Sequence, residues 1–194
     1  MSNTLILKRK DQILNATAKL FREKGFAAST MRDIANELGI EAASLYHHIR
    51  SKDELLENIC FEMADKFITS LKDVNDIYFN PEEKLRTAIK NHILILTSHI
   101  DKSVVFFGEW KHLTEPRLEE FKTLRHTYEN EIRHIIEHGQ KENVFDDVDT
   151  KFAALTVFST VNWIYQWYQP DGEITPEEIA DKLSDFLLNG LRKK

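Results

Sequence analysis

Between Thr30 and Leu56 the chain carries two short helical patterns cut by a single glycine, and this fixes its local architecture more tightly than any other feature. Thr30 is a suitable N-cap, and Asp33 follows three residues later, where a carboxylate closes a capping box and suits the helix dipole. Ile34, Ala35 and Leu38 then recur at helical spacing, and Gly39 ends the run. A second short helix is expected from Ala42 to His48, with Leu45 and Ile49 as its apolar anchors. Two short helices joined by a tight glycine-containing turn form a helix-turn-helix.

The rest of the chain reads as helix throughout. Six Gly and four Pro in 194 residues leave few turns. Helices are expected over about 8–24, closed by Gly25, and over 52–74, capped by Ser51. Others should run from Asn80-Pro81 to about Ile100, over 103–114, from Pro116 to His138 with Gly139 as terminator, over 150–168, and from Pro176 to about Leu191. The fold class is therefore all-α with nine helices. Residues 1–52 form the expected helix-turn-helix domain, and residues 53–194 a second, larger helical domain.

Charge is unevenly divided. Residues 1–52 hold nine Lys and Arg against five Asp and Glu, a net +4, whereas the remainder holds 17 against 27, a net −10. A basic head on an acidic body points to a nucleic-acid partner for the head alone. The single cysteine, Cys60, excludes an intrachain disulfide and fits a reducing compartment. No apolar run approaches the ~18 residues of a membrane span, and the start lacks a secretory pattern, so the expected location is cytoplasmic, with no membrane partner.

In the head, Ala42, Ala43 and Ser44 are small, which lets the second short helix approach base edges. Tyr46 and His47 project away from its anchors, where they could donate to phosphates. Thr30 and Lys52 stand at helix starts, where backbone N–H groups also favour a phosphate. At this point the stretch closely resembles the TetR family of bacterial transcriptional regulators. The resemblance rests on Thr30, Ile34, Ala35, Gly39, Ile40, Leu45, Tyr46, His48, Ser51, Lys52 and Leu55. It implies an all-α homodimer whose first three helices, within the DNA-binding domain 1–52, grip operator DNA, with Thr30, Ser44, Tyr46, His47 and Lys52 as DNA contacts, and whose residues 53–194 form a ligand-binding and dimerisation domain. Two departures stand out: Glu41 where Ser or Thr is frequent, and Ala42 where Lys or Arg is frequent. Glu41 would accept from a cytosine amine or cap the helix.

The end of the chain, Val161 to Leu191, is similar to a TetR subgroup of repressors of fatty-acid and sterol-ring catabolism that respond to acyl-CoA thioesters. The shared elements are Trp167-Tyr168, Pro170, Gly172 and a Thr-Pro helix start. That resemblance implies an amphipathic small ligand. Aromatic residues on apolar helices supply walls for a pocket, and His92 is among the polar residues set within them. The expected ligand contacts are His99, Phe107, Trp110, Arg125, Tyr128, Asn162, Trp163 and Trp167. The same aromatics could instead fill the core and dimer interface, and Arg125 could instead pair with Glu129 four residues on. Leu155, Ile179, Leu183, Phe186 and Leu187 are the expected dimer interface, as part of a four-helix contact between two copies.

No nucleophile motif, P-loop or dinucleotide fingerprint occurs, so no catalysis and no cofactor are expected. The histidines show no metal-ligand motif, so no metal is expected either. The resulting reading is a ligand-responsive DNA-binding regulator, in the sense of a repressor released by an amphipathic molecule. A DNA-binding regulator without a small ligand, or a small all-α enzyme, is the alternative.

Overall fold

Side-chain caps visible in the sequence start several helices of the computed structural model, which describes residues 2–77 and 79–193, with side chains from Arg9 onward. The order is α1 (Ser2–Lys24), α2 (Met31–Glu37), α3 (Ala42–Tyr46), α4 (Lys52–Asp76), α5 (Pro81–Ser98), α6 (Ile100–Gly108), a 3-10 turn (Trp110–His112), α7 (Arg117–Lys141), α8 (Thr150–Asn162), α9 (Ile164–Trp167) and α10 (Pro176–Leu191). Thr30, Asn80 and Thr175 each form a complete capping box with the acidic residue three places on. α8 and α9 part only at Trp163, whose backbone stays helical (φ −58°, ψ −19°). Counted as one element, they bring the total among the described residues to the nine expected helices. Among the described residues there is no strand, only an isolated bridge between Phe145 and Arg192.

The chain packs as two units, one holding residues up to Met63 together with Ile100–Phe121, the other Ala64–His99 with Lys122 onward. Packing therefore divides the chain at a different place from the functional boundary expected at 52/53, and it gives α6 and the 3-10 turn to the unit that contains the head. In the first unit, α1 buries Ile13, Leu14, Leu20 and Phe21, and α2 buries Ile34 and Ala35. Leu45 and Ile49 hold α3 and the turn after it to this core. Gly25 (φ +80°) and Gly39 (φ +64°) end their helices in the left-handed region, which glycine enters without a Cβ penalty.

In the second unit α10 lies along α5, and α8 packs on both. Gly139 does not terminate α7 as expected. The helix continues to Lys141, and the left-handed residue after it is Asn143 (φ +58°). Gly139 serves close approach instead: a Cβ there would lie 2.2 Å from Cδ2 of the buried Phe145 ring. The loop that follows is tied to the chain's end, where Asp146 N donates to Leu191 O (2.8 Å) and Lys193 N to Val144 O (3.2 Å).

Candidate DNA-binding head and ligand-binding body

The head presents α3 with one side in and the other out. Leu45 is fully buried, while its neighbours Ser44, Tyr46 and His47 are exposed, Tyr46 at 54%. Successive helical residues are rotated about 100°, so anchoring Leu45 turns these three outward. Glu41 is the N-cap of α3 and is exposed, and its side chain makes no capping hydrogen bond. Thr30 is exposed but committed to its cap: its hydroxyl donates to Asp33 Oδ2 (2.7 Å) and accepts from Asp33 N (3.2 Å). The Thr30 hydroxyl, then its backbone N–H, hold the Asp33 carboxyl below the usual carboxylate range.

Lys52 has a role that the sequence does not reveal. Its Nζ donates to Phe26 O (2.8 Å) and Ala27 O (3.4 Å) and lies 4.3 Å from the Phe26 ring centroid. The ammonium thereby ties the start of α4 to the turn between α1 and α2, whatever it offers a phosphate. On Phe26 the His112 ring is also stacked, with centroids 5.2 Å apart. Nothing in the spacing of Phe26, Lys52 and His112 announces this cluster.

In the second unit the centre is His92. Its ring stacks on Phe67 at 4.4 Å, its Nε2 lies 3.0 Å from Asn162 Oδ1 and its Nδ1 lies 3.0 Å from the Tyr128 hydroxyl. A carbonyl oxygen only accepts, so Nε2 carries the proton and Nδ1 accepts from Tyr128. Burial pulls the His92 pKa down to about 4 against the opposing pull of the Asn162 bond, so the ring is neutral at pH 7. Burial likewise pushes the Tyr128 phenol up. The sequence leaves Asn162 to a ligand, but its oxygen already has a protein partner.

Tyr128 also lines a groove of about 290 Å³ between α4 and α7, with Ile68 and Leu71 on its apolar side and Lys72, Asn75 and Glu131 on its polar side. The other expected ligand residues are scattered. His99 is the half-buried C-cap of α5. Arg125 is exposed on α7; partial desolvation lowers its pKa and Glu129 opposes that. Phe107 packs edge-on to Phe106 (4.8 Å) and Trp110 lies 5.9 Å from Phe121, all within the first unit.

Trp163 and Trp167 do not wall a pocket within their unit, as Trp163 is 62% exposed and Trp167 is exposed too. The reason is rotational: Trp163 stands about 200° of helical rotation past the buried Val161, which turns it outward. Along α8 and α9, Phe152, Leu155, Ser159, Trp163 and Trp167 fall within about 120° of one another and form one exposed stripe. The buried Ala153, Ala154, Val157, Val161, Ile164 and Tyr168 occupy the opposite face. On α10, Phe186 is 75% exposed and Leu183 half-buried. Ile179 and Leu187, expected at a dimer interface, are 4% and 7% exposed within one chain. Leu187 lines a groove between α8 and α10. Phe152, absent from the expected set, is 73% exposed and, with Phe186, borders an apolar groove of about 240 Å³ between α8 and α10. Apolar residues on both faces of α8 hide this distinction in the sequence.

An exposed recognition helix in a helix-turn-helix head, joined to an all-helical body, defines a DNA-binding regulator. Residues 13–59 match the family of bacterial regulatory proteins called tetR, and residues 78–191 match the tetracyclin repressor-like C-terminal domain. The chain belongs to the tetR family, whose members are transcriptional regulators and not enzymes.

Its relatives include the transcriptional repressor KstR2 of Mycobacterium tuberculosis, 26% identical over 188 residues that cover 96% of this chain and 94% of the relative. The solved structure of that ketosteroid regulator matches with a TM-score of 0.92, covering 96% of both chains. The fatty acid metabolism regulator protein of Bacillus subtilis is 20% identical over 94% of this chain and 95% of its own. AibR, solved in complex with isovaleryl coenzyme A and operator DNA, is 30% identical with a TM-score of 0.83, over 93% of this chain and 98% of its own. Among the described residues no helix is long and apolar enough to cross a membrane, and no group of three or more His, Cys, Asp or Glu could hold a metal ion.

Proposed function

We propose that the chain is a homodimeric repressor, in which residues 1–52 grip operator DNA and residues 53–194 carry dimerisation and the binding of an amphipathic ligand of the acyl-CoA type that releases the operator. The observation that carries this reading is the outward face of α3, where Ser44, Tyr46 and His47 stand exposed beside a fully buried Leu45. Thr30 offers the start of α2, and Lys52 holds the start of α4 in place. In a dimer the two α3 helices enter major grooves ~34–36 Å apart for half-sites one helical turn apart. The exposed stripe Phe152–Trp167 together with Phe186 supports self-association, because a contiguous apolar surface of this kind marks an interaction site.

Support for the ligand comes from the groove beside Tyr128 and from similarity to AibR, whose structure holds isovaleryl coenzyme A. A ligand can release DNA only by favouring one conformer; a 100-fold preference is about 2.7 kcal/mol. The mutual hydrogen bonding of His92, Tyr128 and Asn162 favours a second reading, a regulator that takes no small molecule.

One experiment separates the two. Full-length protein is bound to labelled duplexes enriched from a randomised pool and titrated with isovaleryl-CoA, longer acyl-CoAs and free coenzyme A. The proposal expects at least tenfold weaker DNA binding with one acyl-CoA, little change with coenzyme A alone, and loss of DNA binding in Tyr46→Phe. DNA binding that ignores every acyl-CoA, with no thermal shift, supports the ligand-free reading.

A further inference from the structure

From Glu41 to Ile49 the recognition segment holds no Lys and no Arg. It therefore lacks the side chains that make the commonest specific contact in the major groove, the bidentate bond to guanine O6 and N7. What it does hold is a carboxylate at its leading end. Glu41 sits at the N-cap of α3 with an extended backbone (φ −71°, ψ 144°), is exposed, and its side chain accepts no hydrogen bond at the cap. The capping explanation for this residue therefore finds no bond in the structure. Thr30 at the start of α2 provides the contrast, since its hydroxyl is spent on a complete capping box. Ala42, Ala43 and Ser44 follow Glu41, so no bulk beside it keeps the carboxylate away from base edges.

A carboxylate facing DNA is repelled by phosphates that bring one negative charge per ~1.7 Å of duplex. That repulsion weakens binding to every sequence unless the carboxylate meets a donor. Guanine offers O6 and N7, both acceptors. Thymine offers O4 and a methyl group. Adenine offers N6–H₂ beside the acceptor N7. Cytosine alone offers an exocyclic amine with no acceptor beside it on the same base. The penalty thus falls on three bases and is relieved by one.

We infer that Glu41 is a specificity-determining residue that selects cytosine, through its N4 amine, at one position of each operator half-site. The inference rests on the DNA-binding reading of the head and deepens it. Its effect is exclusion as much as attraction: the charge lowers affinity for random DNA and so widens the gap between operator and background.

The test uses full-length protein and a duplex pool with a randomised core, enriched separately by the wild type, Glu41→Ala and Glu41→Gln. Glu41 is exposed, and circular dichroism checks that each variant folds. The wild type should enrich a motif with one cytosine per half-site at which substitution by any other base costs about 5- to 150-fold in affinity. Glu41→Ala should lose preference at that position only and bind random duplex more tightly. Glu41→Gln should move the preference to adenine, whose N6 and N7 a glutamine amide matches. An enriched motif that is the same in wild type and Glu41→Ala overturns the assignment. A wild-type protein that binds no duplex even at low salt refutes the DNA-binding head itself, a failure distinct from an unaltered motif.

Discussion

The head helix α3 and the body helix pair α8–α9 use the same device, a helix anchored on one side, and differ in what the other side carries. On α3 the outer side is polar: Glu41, Ser44, Tyr46 and His47 against the buried Leu45. On α8–α9 the outer side is apolar, with Phe152, Leu155, Trp163 and Trp167 all exposed. An exposed polar face is stable in water by itself. An exposed apolar face costs solvation and implies a covering partner. One chain thus presents two exposed helix faces of opposite chemistry, each built by turning a helix about its buried residues.

The comparison breaks most visibly if the inner faces are not core. Leu187→Glu would bury a carboxylate on α10 with no paired cation assigned to it, at a cost of several kcal/mol. Loss of the cooperative melt followed by circular dichroism is the expected result. A smaller effect comes from His92. Its pKa is about 4 in the folded chain and near 6.5 unfolded, so the unfolded state binds more protons between those values. The stability this group contributes is therefore full above pH 6.5 and falls as pH drops toward 4, by about 2 kcal/mol at pH 5. Urea titrations at pH 7.5 and pH 5 should show that loss, and His92→Gln should flatten its share of it. Smaller still, Lys52→Ala removes a charged donor from the Phe26 and Ala27 carbonyls. It should lower stability by about 1–2 kcal/mol in the same titration, and it should weaken DNA binding with it.

Legibility in the sequence follows the same division. The head is readable because each part has a local signature: Thr30 with Asp33 for a cap, Gly39 for a turn, Leu45 and Ile49 for an anchored face. The caps at Asn80 and Thr175 are readable for the same reason. Lys52 stands at a helix start as its sequence context implies, but its bond to Phe26 O joins residues 26 apart, and no local pattern encodes that. In the body, α8 is apolar on two faces, so periodicity does not say which face is inside. Trp163 and Trp167 therefore read as a ligand wall, whereas within one chain both lie exposed. Gly139 looks like a terminator because its use, clearance for the Phe145 ring, depends on a residue beyond the helix end.

The most direct test is sedimentation velocity of the wild type beside Phe152→Glu/Phe186→Glu, with circular dichroism on both. Both residues are largely exposed in the single chain, so the double variant should keep its helix content and its melt. If the outer stripe of α8–α9 and Phe186 hold two copies together, the wild type sediments as a dimer and the variant as a folded monomer. A variant that remains a folded dimer would contradict the account and place the interface on another surface.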